Sequence, residues 1–192
     1  NSMVRNIELL DHLSPRAIVA GDPIFHAGCS KYAHAFRRSL VKAARRYDAW
    51  IFVPMRDFGV YQASLPSDLS ERLIGLPFGH NRPYNVDLNS DFYVAPRPNI
   101  LTMALLPLAG TFFDEICIAG CDGRAVREDS YFWSHDRTVQ INNLMENIQE
   151  VHPAFFDIDY NEYYINHLKQ CAEAIAALKS SGRKVTSLTP SY

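Results

Sequence analysis

The sequence predicts an α/β chain: a Rossmann-like three-layer α/β/α arrangement on a mainly parallel sheet. Three observations predict it. Short apolar runs alternate with segments of helical period along the whole chain. The runs stop on Gly, Asp or Pro, where strands turn. "RAIVAGDP", "SKYAHAFRRSLVKAARRYD" and "AWIFVP" follow one another as strand, helix and strand within about forty residues, the length of a βαβ unit, which makes the two strands parallel.

Each element has its own signal. "RAIVAGDP" (16–23) is a short strand closed by a Gly-Asp-Pro turn. Ser30 is the N-cap of a helix over 30–48, with Ala33, Phe36, Leu40 and Ala44 on its inner face and arginines on the other. "AWIFVP" (49–54) is a second buried strand. Between Arg56 and Pro98 the pattern weakens. A short helix is expected over Ser67 to Ile74, and the Pro-, Asn- and Asp-rich remainder reads as a long surface excursion that would serve as a lid or acceptor-side loop. Then come a helix at Asn99 to Thr111, a strand at Glu115 to Ala119, a loop from Cys121 to His135, and helices at Thr138 to Val151 and Asn161 to Ser180. Gly182 stops the last helix before a closing strand at Lys184 to Leu188. No repeat or linker is visible, so residues 1–192 are expected to form a single domain.

Composition narrows the function. With 47% hydrophobic and 21% charged residues, the chain can build a core. A formal net charge of -2 and a pI near 6.4 give no electrostatic reason to expect nucleic acid, and point instead to small-molecule or protein partners, self-association included. Cys29, Cys117, Cys121 and Cys171 form no CxxC pair, and none of the seven histidines has HxxxH or HExxH spacing, so no metal is expected. The longest apolar run, 100–113, is broken by Pro107 and Gly110 and is too short for a transmembrane segment. The first residues lack the basic, apolar and small-residue succession of a signal peptide, and a cytoplasmic domain, peripheral at the inner membrane at most, is expected. The opening Asn-Ser-Met does not read as a natural start, and an upstream segment is expected.

In a parallel sheet, ligands bind beyond the carboxyl ends of the strands. Those ends carry Gly21 and Asp22, Pro54, and the run Gly120, Cys121, Asp122, Gly123, Arg124. A glycine lets a ligand approach the backbone, and a carboxylate accepts ribose or base hydrogen bonds. Gly21 and Asp22 read equally well as an ordinary turn. There is no GxGxxG fingerprint and no P-loop. Two histidines stand out as general-base candidates, His135 in "YFWSHD" and His167 in "YYINHLKQCAEAI". By spacing alone, His167 also reads as a polar residue in the first turns of its helix.

The last hundred or so residues resemble the small bacterial sialyltransferases and their relatives in surface-polysaccharide synthesis. The likeness lies in the order of "NILTMALLPLAGTFFDEICIAGCDG", "EDSYFW", "YYINHLKQCAEAIAALK" and "KVTSLTPSY". These stand where that family has an apolar helix, a strand similar to "KEIYLxGxDF", a Ser-Tyr pair, a "YIGH" helix start and a strand running into Pro-Ser. The resemblance implies a cytidine-monophosphate (CMP) sugar donor, a glycan acceptor, no metal cofactor, and an inverting displacement. By position, His167 would be the base and Tyr131 a donor to the leaving phosphate. Thr102 would line the nucleotide pocket, with Gly120, Asp122 and Gly123 beside the cytidine. The family's second tyrosine is unmatched, but Arg124 lies close to its place and can bind phosphate oxygens by charge. The family's opening strand and Gly-Asn-Gly-Pro-Ser loop have no counterpart here. Two other functions stay open: a pyrophosphokinase-like nucleotide enzyme, which would require Mg²⁺, and a non-catalytic nucleotide-binding or interaction domain of a larger polysaccharide-assembly protein.

Overall fold

Strand β1 (Ala17–Val19) is followed by α2 (Pro23–Ala27), α3 (Lys31–Tyr47) and β2 (Trp50–Pro54), with α1 (Ile7–Leu13) ahead of them. The computed structural model describes residues 2–121, 144, 150–155, 157 and 159–189. The chain divides into two compact units, Asn1–Leu76 with His135–Ile158, and Pro77–Ser134 with Asp159–Tyr192. The protein is mixed α/β, and among the described residues its strands form two small parallel sheets, one of three strands and one of two.

In the first unit, β1, β2 and β3 (Leu73–Leu76) lie side by side in that order. β1 pairs with β2 in the parallel register Ala17 to Trp50, and β2 with β3 in the register Ile51 to Leu73. The Ser30 hydroxyl accepts the Ala33 N–H at 3.0 Å and starts α3 at Lys31. Asp48, at φ 55, stops it in the left-handed conformation. Phe36, Leu40, Ala43 and Ala44 recur at helical spacing and are buried. They share one core with Ile51 and Val53 of the central strand and with Tyr61, Leu65 and Leu69.

Three expectations fail between residues 20 and 76. The Gly-Asp-Pro turn after β1 is the start of α2: the Asp22 carboxylate accepts the Phe25 N–H at 3.2 Å, and Pro23 occupies the first turn, where its missing N–H costs nothing. The helix expected over Ser67 to Ile74 is a 3-10 turn, Ser67–Arg72, running into strand β3. Four apolar residues carry no decisive period, and pairing with β2 decides their conformation. The surface excursion expected from Arg56 begins instead with a helix, α4 (Phe58–Ser64).

In the second unit, 77–98 is a loop held by its own hydrogen bonds. Asn85 Nδ2 donates to the carbonyls of Asp91 and Tyr93, the Asp87 carboxylate accepts the Asn89 N–H at 3.0 Å, and the Tyr93 hydroxyl donates to the Pro83 carbonyl at 2.8 Å. A π-helical turn, Leu101–Leu105, leads into α5 (Leu106–Phe112). Pro107 has no N–H to return to the preceding turn, and a widened turn ahead of it absorbs the misfit. β4 (Glu115–Ile118) pairs in parallel with β5 (Lys184–Ser187), and α6 (Tyr160–Ser180) runs between them in sequence. Leu106, Ile116, Ala174 and Leu178 form the core of this unit. Gly110 is required by close approach: a Cβ there would sit 2.4 Å from Leu178 Cδ2 and 2.6 Å from the Val86 carbonyl oxygen.

Of the helix expected at Thr138 to Val151, only Leu144, Glu150 and Val151 are among the described residues, and most of the loop before it falls outside them. No described helix is long and apolar enough to cross a membrane.

Candidate functional site

The side chains with the most chemical potential in the second unit lie on one face of α6. Asp159 caps this helix, its carboxylate accepting the N–H groups of Asn161 and Glu162. Tyr163, His167 and Cys171 then follow at four-residue intervals, so they stack along one side. α6 packs against the π-helical turn. The Asn99 amide approaches the Tyr163 hydroxyl at 3.4 Å, and that hydroxyl reaches the Pro98 carbonyl at 3.4 Å.

His167 is half-buried, and burial lowers its pKa from the ordinary value, so the ring is neutral near pH 7. Cys171 Sγ lies 3.4 Å from Nε2 and 3.7 Å from Nδ1. Two such similar distances put the sulfur over the face of the ring, because an atom in line with one N–H would be far from the other nitrogen. No further hydrogen bond to the ring is present among the described residues. Burial pushes the Cys171 thiol up to about 11, with Cys121 adding to the rise and Arg97 opposing it. The pair is a thiol beside a neutral imidazole, unlike the thiolate–imidazolium pair of a cysteine nucleophile.

Around this face, Arg97 pairs with Glu173 at 3.0 Å and lies over the Tyr84 ring at 4.7 Å. The Tyr84 hydroxyl donates to the Thr102 carbonyl at 2.6 Å. Thr102 itself is fully buried, and its hydroxyl donates to the Asn99 carbonyl at 3.3 Å. In this form it braces the turn and lines no open surface. Beyond the end of β4, Gly120 takes φ +72 and donates its N–H to the Thr189 hydroxyl at 3.2 Å. Cys121 follows within electrostatic reach of Cys171. Thus His167, Thr102 and Gly120 belong to one unit. Asp122, Gly123, Arg124, Tyr131 and His135 lie outside the described residues.

Gly21 and Asp22 belong to the first unit, at the carboxyl end of β1. Burial raises the Asp22 carboxyl pKa, opposed by its hydrogen bond from Phe25 and by His152. Four residues on, His26 is 3% exposed and hydrogen-bonded to the buried Tyr61. The sequence singles out His135 and His167 by their motifs and not this histidine. Tyr163 was readable from its spacing to His167, whereas Arg97 and Asn99 reach the site only through tertiary packing.

No family model, no curated protein and no solved structure matches the chain.

Proposed function

We propose that the chain is a glycosyltransferase domain of the sialyltransferase-like type, using a CMP-activated sugar in surface glycan synthesis at the cytoplasmic side of the membrane. The two sheets would then belong to a Rossmann-like three-layer fold completed by the rest of the chain. One observation carries this reading: His167 is half-buried and neutral, with Cys171 its one hydrogen-bonding contact among the described residues, in the unit where β4 ends on the Gly120 turn.

In the proposed reaction an acceptor hydroxyl attacks the anomeric carbon of the donor sugar. The new C–O bond forms as the bond from that carbon to the phosphate oxygen breaks, with inversion. One nitrogen of His167 takes the hydroxyl proton and later releases it to water. CMP leaves with the electron pair of the broken bond, and its developing charge is met by donors, for which Tyr131 and Arg124 are the residues proposed. The backbone at Gly120 lets the nucleotide approach, with Asp122 and Gly123 beside the base. Thr102 acts by fixing the turn behind the site.

The test is transfer from CMP-sugar donors by the wild type and by His167→Asn. Loss of transfer with donor binding kept is the expected result. An unchanged rate would remove His167 from the mechanism.

A further inference from the structure

In the first unit, α2 is five residues long, too short to hold its own backbone, so its fastenings are tertiary. Asp22 caps it, Phe25 meets the Tyr32 ring edge-on at 5.5 Å, and His26 joins it to two other helices. The His26 ring stacks on Phe36 of α3 at 4.0 Å. Its Nδ1 lies 3.1 Å from the Tyr61 hydroxyl of α4 and 3.4 Å from the Asp22 backbone nitrogen. A backbone N–H only donates, so Nδ1 accepts, the ring proton sits on Nε2, and the Tyr61 O–H donates to Nδ1 as well. Tyr61 is fully buried, and burial raises its pKa, so its hydroxyl stays protonated.

A proton on Nδ1 would face the Asp22 N–H, which can only donate, and would need the Tyr61 hydroxyl to turn from donor to acceptor, in a site where the ring is 3% exposed and stacked on Phe36. The charged groups around the ring offer little relief. Asp22 heads α2, but its carboxylate is engaged by the Phe25 N–H. Asp57, ahead of α4, is held by Arg56 through two hydrogen bonds of 2.8 and 3.0 Å. His152 acts on Asp22, and α3 presents the apolar Phe36 ring.

We infer that His26 is an acid-sensitive latch on α2, whose protonation breaks the Asp22 N–H···Nδ1 bond, reverses the one with Tyr61, places a charge in an apolar site, and frees Pro23–Ala27 from α3 and α4 while the sheet stays paired. The segment that moves carries Asp22 and, in Pro23 and Ile24, one wall of a largely apolar cavity of about 370 Å³, completed by Gly28, Cys29, Ser30, Val60 and Val151. Release would therefore open that cavity and displace the carboxylate at the end of β1. Burial holds the native His26 pKa well below 6.5. A depressed histidine contributes stability that is full above its unfolded pKa and is lost as pH falls toward the native one. Asp22 has the opposite sign, since its raised pKa favours the closed form as acid protonates it, so it limits the release without reversing it.

The test is amide hydrogen exchange of the full chain followed by NMR from pH 7.5 downward. Below the ordinary histidine pKa, opening at Phe25, His26 and Ala27 is expected to rise about tenfold per pH unit beyond intrinsic chemistry, while Ile51 to Val53 stay protected. His26→Phe keeps an aromatic ring against Phe36 and is expected to abolish this pH dependence. Tyr61→Phe keeps the core shape and is expected to move the opening to higher pH. A pH-independent opening in the wild type, an unchanged profile in both variants, or opening of α2 only together with β2 would overturn the latch.

Discussion

The sulfur of Cys171 lies over the imidazole face of His167, 3.4 Å from Nε2 and 3.7 Å from Nδ1. The thiol occupies the face of the ring and does not lie in line with either nitrogen's in-plane lone pair. A general base needs an available in-plane lone pair on a neutral ring, and burial keeps the ring neutral. The proposed chemistry rests on this relationship.

Replacing His167 by Asn keeps a polar side chain of similar reach and removes the base. Transfer is expected to fall by about 10² to 10⁴, the usual contribution of general-base catalysis. Steady-state kinetics with donor binding measured separately checks this, and a parallel loss of donor binding would point to a structural role.

The acid limb of the transfer rate follows from the His167 shift. Its pKa is lowered, so the ring stays unprotonated to a pH below the ordinary histidine value. Activity is expected to be retained at pH 6.5 and to fall below it. A midpoint above 6.5 in the rate profile would contradict the burial of this ring.

Cys171 should be a slow thiol. Pushed up to about 11, it exposes very little thiolate at pH 7. Peptide mapping after brief alkylation is expected to find Cys29 and Cys117, both exposed, modified well before Cys171. Preferential labelling of Cys171 would mean a thiolate–imidazolium pair and a different chemistry for the site.

Gly110→Ala should destabilise the second unit. The added methyl meets Leu178 Cδ2 at 2.4 Å, and the Val86 carbonyl at 2.6 Å cannot yield as a side chain would. The cost is expected to be about 1–3 kcal/mol, typical of overpacking. Denaturant unfolding measures it, and an unchanged midpoint would show that α5 and α6 can separate at little cost.

How far the sequence could be read depended on whether the deciding force was local. The Ser30 cap and the spacing of Phe36, Leu40 and Ala44 are local, and α3 starts at Lys31 as expected. The parallel pairing of β1 with β2 follows from the helix between them. α2 was legible in Asp22 and Pro23 but was read as a plain turn. β3 was not legible, because a four-residue run becomes a strand only through its partner β2. In the site, the helix carrying His167 was readable from periodicity, and Tyr163 could have been found one turn before it. The Cys171 contact, the approach of Asn99 and the burial of His26 depend on packing that no spacing rule encodes.

The most direct test of the central claim is thermal unfolding of this chain with CMP, CDP, UDP, GDP and ATP, each with and without Mg²⁺. A ligand that binds the folded state raises the midpoint by mass action, about 2.7 kcal/mol of stabilisation at a hundredfold excess over Kd. The expected result is a selective rise with CMP that does not depend on Mg²⁺. A rise that requires Mg²⁺ with ATP, or no rise with any nucleotide, would contradict the proposal of a CMP-sugar site.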